Sequence, residues 1–471
     1  MRLTLAVDFG STFTKIAAFD LQKEELVASV EAVTTTDSDI NVGLEQAISQ
    51  LEKTIPGRKY QFDEILSCSS AAGGLKMVAI GLTTSLTTRA ANEASLGAGA
   101  KLISSFSHRL SLPDIKSIER LAPDLVLLAG GTDGGDKKNI IANARALAKS
   151  RLDSPIIIAG NKLAVPETLK IMKKAGKYAV SVENILPELD HLNIEPARDA
   201  IRDIFIKRII QAKGLDKAQK IVGKTIIPTP MAVLNGANLL SRGIGEEEGW
   251  GELMLIDVGG ATTDVHSIGF GYPSQPDVIL KGLREPFAKR TVEGDMGIRF
   301  NAPTILMKSG ESEIRTKLSS YDNTISINDI ELSSYTDLLS RNVAHIARNQ
   351  AESLIDKILA SLAVETAVLR HVGKIEEHYF PTGKIKIQSG KDLTACQTVI
   401  GTGGIFRNIE NPRSILKSAL FDPARPEFLC PVSPQFFLDE KYILFAVGLL
   451  SEVAPQKSIR ILKRYLSRIK N

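Results

Sequence analysis

Cysteine and tryptophan are scarce in this chain of 471 residues, with three of the first and one of the second. Cys68, Cys396 and Cys430 stand far apart with no Cys-x-x-Cys spacing. That excludes a disulfide framework and the usual zinc pattern, and fits a reducing, cytoplasmic compartment. An excess of one charge is also missing. The 58 basic and 54 acidic residues leave a net charge of +4, interspersed along most of the chain, so no nucleic-acid footprint stands out. No apolar run reaches the roughly 20 residues that a membrane helix needs. The stretch from Met1 to Gly10 is too short in apolar residues for a signal peptide and holds an aspartate.

What is present describes a globular chain, 43% hydrophobic and 24% charged, and too long for one ordinary core. Apolar segments Leu3 to Phe9, Lys15 to Phe19 and Glu25 to Val33 alternate with polar turns and predict an antiparallel meander. A helix is expected over Val42 to Leu51, strands near Ile65 to Ser67 and Leu75 to Ile80, and a helix around Arg89 to Leu102. From about 113 to 214, short apolar runs and helical patterns alternate, as in a small parallel α/β unit inserted in the first half. The acidic stretch Gly245 to Gly249 leads into the apolar strand Leu253 to Val258. This sets the expected division: a first lobe over 1–245 and a second over 246–471, the latter with a long helical region at about 335–373.

Three glycine-rich motifs carry the chemistry. Val7-Asp8-Phe9-Gly10-Ser11-Thr12-Phe13-Thr14-Lys15 places an aspartate at a strand end, then a Gly-Ser-Thr turn and a second strand expected to begin with the lysine. Backbone N–H groups and hydroxyls in such a turn ring a phosphate, while the aspartate faces a magnesium ion through its waters. Ile256-Asp257-Val258-Gly259-Gly260-Ala261-Thr262-Thr263-Asp264 repeats the design in the other half, so a nucleotide is expected to be clamped by two hairpins. Thr398 to Ile400 leads into Gly401-Thr402-Gly403-Gly404-Ile405, a strand-to-helix turn suited to packing backbone against a base or ribose.

In this order the motifs resemble phosphate 1, phosphate 2 and the adenosine motif of the actin, Hsp70 and sugar-kinase superfamily. Pro228 to Gly236 and Asp439 to Gly448 resemble its two connecting helices. Gly130-Gly131-Thr132-Asp133-Gly134-Gly135, Asp257 to His266 and Thr291 to Gly297 add a narrower likeness, to the glutamate mutase accessory protein L family. The resemblance implies an α/β, two-lobed actin-like ATPase fold of duplicated ribonuclease H-like lobes, with an inserted α/β subdomain in the first. It implies ATP or ADP with Mg2+ as cofactors. Asp8 and Asp257 would orient magnesium waters, and Gly10, Ser11, Thr12, Gly259, Gly260 and Ala261 would hold phosphates. Thr262 and Asp264 would lie near the γ-phosphate, Lys15 would neutralise charge or sit on the strand surface, and Gly401, Gly403 and Gly404 would meet the adenosine. The implied protein partner is an adenosylcobalamin-dependent mutase.

Other readings stay open at this level. An activator ATPase of the 2-hydroxyacyl-CoA dehydratase type shares the opening motif, with Cys68 as the candidate cluster ligand. A small-molecule kinase would use Asp264 as base, and a nucleotide-ordered filament is a third possibility. Glu293-Gly294-Asp295 is expected to reach ribose hydroxyls or cap the next helix. The Gly130 to Gly135 loop binds an anion, meets a partner or forms a tight turn. Lys457 to Asn471, with six basic and no acidic residues, is expected to pack as a helix on its own lobe or to dock on a membrane surface or partner.

Overall fold

The computed structural model describes residues 2–10, 13–33, 40–55, 61–70, 75–95, 98, 100–188, 191–212, 226–282, 284–321, 331–380 and 383–470. The chain divides into two compact units, Met1–Gly236 with Phe445–Ser458, and Ala237–Leu444 with Ile459–Asn471. The chain passes from one to the other within the helices Thr229–Arg242 and Pro455–Tyr465 and at the start of Leu444–Leu450.

The first unit opens with strands β1 (Arg2–Phe9), β2 (Phe13–Asp20), β3 (Glu25–Val33) and β4 (Gln61–Ser69). β1, β2 and β3 form the expected antiparallel meander. β4 then adds parallel to β1, and β10 (Ile227–Pro228) parallel to β4, giving the order β10-β4-β1-β2-β3. A second sheet is parallel throughout: β5 (Leu75–Gly81), β6 (Ala100–Ser107), β7 (Leu125–Leu128), β8 (Ile156–Ile158) and β9 (Ala179–Ser181), ordered β6-β5-β7-β8-β9. Its central strands β5, β7 and β8 are buried on both faces, the usual state of a parallel sheet, while the outer β6 and β9 are partly exposed. Met77, Ala79, Leu125 and Leu127 face the core shared with β1, whereas Val78, Ile80, Val126 and Leu128 face a separate core. This sheet starts at Leu75, upstream of the alternating pattern seen from residue 113. The helix expected over Arg89 to Leu102 is instead the helix Thr84–Ser95 followed by β6, because small Ala90, Ala91 and Ala94 pack the helix while Leu102 belongs to the sheet.

The second unit repeats the first sheet. A short hairpin, β11 (Gly243–Ile244) and β12 (Glu247–Glu248), precedes β13 (Leu253–Val258) and β14 (Thr263–Ile268). β15 (Val278–Leu280), β17 (Lys374–Phe380) and β18 (Gly383–Ser389) form a side sheet. β16 (Ala288–Glu293), β19 (Thr398–Thr402), β20 (Gln435–Leu438) and β21 (Ser467–Arg468) complete the order β16-β14-β13-β19-β20-β21. β16, β14 and β13 are antiparallel, and β19 and β20 are parallel to β13 in turn. Each unit thus holds a sheet ordered 3-2-1-4-5, the duplicated ribonuclease H-like topology of an actin-like ATPase.

The region at 335–372 is two helices, Leu332–Arg341 and Gln350–His371. The break falls where the Asn349 side chain accepts the Glu352 N–H at 2.8 Å and starts the second helix with an N-cap. That helix buries Ile355, Ile358, Leu359, Leu362 and Ala363 in the core under β13. The basic C-terminal helix turns its apolar face inward: Ile459, Leu462 and Leu466 are buried, and Arg460 and Lys463 pair with Glu247 at 3.2 and 3.5 Å.

Candidate functional site

The two hairpins β1–β2 and β13–β14 are closed in the same way. Gly10 N–H donates to Phe13 O at 3.1 Å, and Gly259 N–H donates to Thr262 O at 2.9 Å. A Cβ on Gly10 would stand 2.5 Å from Phe13 O, and one on Gly259 2.9 Å from Thr262 O, so the turn admits glycine alone. In register, Asp8 faces Lys15 and Asp257 faces Asp264. One design therefore carries a lysine in the first unit and a carboxylate in the second. Ser11 and Thr12 lie outside the described residues.

Asp8 is buried at the end of β1. Its Oδ1 accepts Thr229 Oγ1–H at 2.5 Å and Cys68 Sγ–H at 3.5 Å, leaving Oδ2 without a partner among the described residues. Burial raises the carboxyl above its ordinary range, and the Lys15 charge and the two hydrogen bonds oppose that rise. Burial and the neighbouring Asp8 push the Cys68 thiol well up. The contacts of Thr229 and Cys68 with Asp8 were not legible in the sequence. The two residues arrive from β4 and from the start of the Thr229–Arg242 helix, and only the strand pairing brings them to Asp8.

In the second hairpin the turn carbonyls are all held by one segment. Ile298 N–H donates to Gly259 O at 3.1 Å, Arg299 and Phe300 N–H donate to Gly260 O at 2.9 Å each, and Asn301 Nδ2 donates to Ala261 O at 2.7 Å. Gly297 lies flat against the turn, where a Cβ would come 2.2 Å from the carbonyl carbon of Ala261. With its carbonyls tied back, the turn keeps the N–H groups of Gly260 and Ala261 and the Thr262 hydroxyl without acceptors among the described residues, an arrangement that suits an anion. Thr263, by contrast, spends its hydroxyl on Met296 O at 2.7 Å. Of the two expectations for Glu293 and Asp295, the helix cap is not formed. Both carboxylates bind Arg370, at 2.5 and 3.1 Å, and Asp295 also pairs with Lys308, while the following helix, Ala302–Ser309, has Asn301 at its N-cap and no side-chain cap bond.

Asp257 is half-buried beside the third motif. Gly403, at φ +114, packs against it, and a Cβ there would meet Val258 O at 2.3 Å and Asp257 Oδ1 at 3.1 Å. Gly401 is buried, and its lack of a side chain serves the core, where a Cβ would stand 3.1 Å from Leu416, Leu438 and Phe406. Gly404 is exposed, with nothing within 4 Å of its Cβ position. Asp264 Oδ2 pairs with Arg290 at 2.8 Å, and its Oδ1 is buried without a partner. His266, two residues further along β14, is buried with Nδ1 unpartnered. Burial and Arg290 hold it well below 6.5, as suits a neutral core residue.

Within each unit taken by itself, the hairpin carboxylate is of the chemistry that suits a hydrated divalent cation. Free oxygens remain on Asp8 and Asp264, and no group of three His, Cys, Asp or Glu among the described residues forms a direct cage. No helix among the described residues is long and apolar enough to cross a membrane.

The family model described as "MutL protein" matches residues 4–466. A curated Protein MutL of Clostridium tetanomorphum is 44% identical over 465 residues, 99% of both chains. Among solved structures, the activator of the 2-hydroxyisocaproyl-CoA dehydratase from Clostridium difficile with bound ADPNP is 12% identical, with a TM-score of 0.30, over 100% of this chain and 98% of its own. Plasmodium falciparum glycerol kinase with ADP is 11% identical, with a TM-score of 0.36, over 100% and 94%. At such scores the fold assignment rests on the strand orders given above.

Proposed function

The chain belongs to the MutL protein family, and from that membership we propose that it is an ATP-binding, ATP-hydrolysing reactivating factor for an adenosylcobalamin-dependent mutase, such as glutamate (methylaspartate) mutase or an aminomutase. One observation carries the ATP reading: each unit holds a strand–Asp–Gly turn closed by the same bond, and in the second the turn carbonyls are tied back. Bare N–H groups at Gly260 and Ala261 bind phosphate oxygens, and Gly403 keeps the base-side loop close to Asp257. Magnesium, when bound, neutralises charge on the phosphates. The chain's own part is orientation: Asp8, fixed by Thr229, and Asp257 order water, and the free Oδ1 of Asp264 aligns the attacking one while Arg290 holds the opposite oxygen. Lys15 balances Asp8 across the first hairpin. No side-chain nucleophile is required, and a slow ATPase of this kind biases a conformational equilibrium.

The activator reading fares worse at Cys68. This thiol is fully buried, donates to Asp8 and is pushed up by burial, the opposite of what a thiolate ligand needs.

The test incubates a cyanocobalamin-inactivated mutase with this protein, ATP, magnesium and free adenosylcobalamin, with Asp257→Ala as control. Activity is expected to return only with ATP and the unaltered chain. Equal recovery without ATP, or with the variant, removes the reactivation reading. Stoichiometric phosphorylation of a small acid or sugar would replace it with a kinase.

A further inference from the structure

The parallel sheet of the first unit has strand order 2-1-3-4-5 counted from β5, and its helices lie on both faces. Thr84–Ser95 and Glu195–Ala212 pack on the Met77 and Ala79 side, and Leu112–Leu121, Lys138–Ala148 and Val165–Lys174 on the Val78 and Ile80 side. The order reverses between β5 and β7, and in doubly wound sheets a crevice opens there, outside the carboxyl ends of the strands. The loops that border it touch, since a Cβ on Gly130, after β7, would come 3.9 Å from Leu82 N, after β5.

The loop after β7 is held from beneath. Asn161 N–H donates to Gly130 O at 3.1 Å, and the buried Asn161 amide donates to Gly135 O and Asp136 O at 3.0 and 3.3 Å. The buried Asn184 amide donates to Gly131 O at 3.0 Å. Gly131, at φ +72, has no room for a Cβ, which would lie 2.2 Å from Asp136 O, while Gly134, at φ +79, has open space around it. The N–H groups of Gly131, Thr132 and Gly134 consequently have no acceptor among the described residues. A different element adds a second sign of a missing ligand: Thr83 Oγ1, in the loop after β5, is buried with no hydrogen-bond partner.

The charges agree with an anion. Asp133 is occupied by Lys162 N–H and Asn184, at 3.0 Å each, and Asp136 by the N–H groups of Lys138 and Asn139 at 3.3 and 3.1 Å. Arg109 and Lys137, in the loops at this edge of the sheet, and Lys138, the first residue of the helix Lys138–Ala148, have no carboxylate partner among the described residues. Leu163, 57% exposed in the loop after β8, offers an apolar contact at the same edge.

We propose that this crevice is a second anion site, separate from the Asp8 and Asp257 hairpins, that takes the phosphoryl group of an organic phosphate. The N–H groups of Gly131, Thr132 and Gly134 and the Thr83 hydroxyl bind the phosphoryl oxygens, the cations supply charge, and Leu163 meets the organic part.

The test uses the full chain carrying Asp257→Ala and follows hydrogen exchange by mass spectrometry over residues 129–139, with inorganic phosphate and with ADP as probes. Both are expected to slow exchange in that segment. If ADP acts at lower concentration than phosphate, the organic part contributes as argued. Thr83→Val with Lys138→Gln is expected to raise the concentration required about tenfold, with an unchanged melting temperature showing that the fold is intact. No protection of 129–139 by either probe, or protection at the same concentration in the double variant, overturns the proposal. Protection confined to the segments around Asp8 and Asp257 also overturns it, and leaves the hairpin reading standing.

Discussion

Replacing Gly448 by alanine sets helix propensity against packing. Within the first unit, the helix Leu444–Leu450 crosses Thr229–Arg242 so closely that a Cβ on Gly448 would stand 1.7 Å from Ala232 O and 3.1 Å from Gly236 N. Inside a helix, alanine is favoured over glycine by about 1 kcal/mol. Real Cβ atoms essentially never come within 3.0 Å of such a neighbour, so the two backbones must part by more than about 1 Å, and a carbonyl held in a helix cannot swing aside. Overpacking of this kind costs about 1–3 kcal/mol, and backbone against backbone belongs at the upper end. The net expectation is a loss of about 2 kcal/mol, which for units of this size lowers the melting temperature by about 4–8 °C. Scanning fluorimetry of the full chain measures it. A melting temperature equal to or above that of the unaltered protein would refute the close crossing.

Three further outcomes follow from the geometry. Gly403→Ala forces its loop away from Val258 O and is expected to weaken ATP binding about tenfold, read with a fluorescent nucleotide; unchanged affinity would remove that loop from the site. Arg290→Met strands the Asp264 carboxylate, whose ion pair is only 12% and 16% exposed, and is expected to cost about 3 kcal/mol by urea denaturation. Arg290→Met with Asp264→Leu should recover most of that stability while ATPase activity stays lost; recovery of both would deny Asp264 its role. Burial, then Lys289, Lys391 and His266, hold His371 well below 6.5, and burial holds His266 down too. The native state keeps both neutral where the unfolded chain takes up protons. Stability is therefore full above about pH 7 and falls as pH drops through 6.5, by up to about 1.4 kcal/mol per pH unit for each histidine. Urea midpoints that rise between pH 7 and 6 would contradict this.

The hairpins were legible in the sequence because their information is local: a strand, an aspartate, a glycine that must accept a close oxygen, and a returning strand all fall within nine residues. The duplication was legible for the same reason. The partners that fix the carboxylates were not. Thr229 and Cys68 reach Asp8 from far along the chain, and Arg290 reaches Asp264 only through the pairing of β14 with β16. The motif Thr291 to Gly297 was visible, yet its neighbours do the binding to the turn, 298–300 through backbone N–H groups that no residue type advertises and Asn301 through its side-chain amide. The apolar recurrence at 335–372 marked a long helical region without its break, because hydrophobic period ignores a break, and the Asn349 cap shows only once the second helix is seen. The inserted sheet was read by its alternation but begun too late, since β5 and β6 resemble ordinary strands until their pairing with β7 is known.

The most direct test of the nucleotide site is calorimetric titration of ATP with magnesium into the full chain and into Asp257→Ala and Gly259→Val. The unaltered protein is expected to bind. Both variants should lose about a hundredfold in affinity, the first through a missing carboxylate and the second through a side chain forced against Thr262 O. Equal affinity in all three, or no binding by the unaltered chain, would contradict the account.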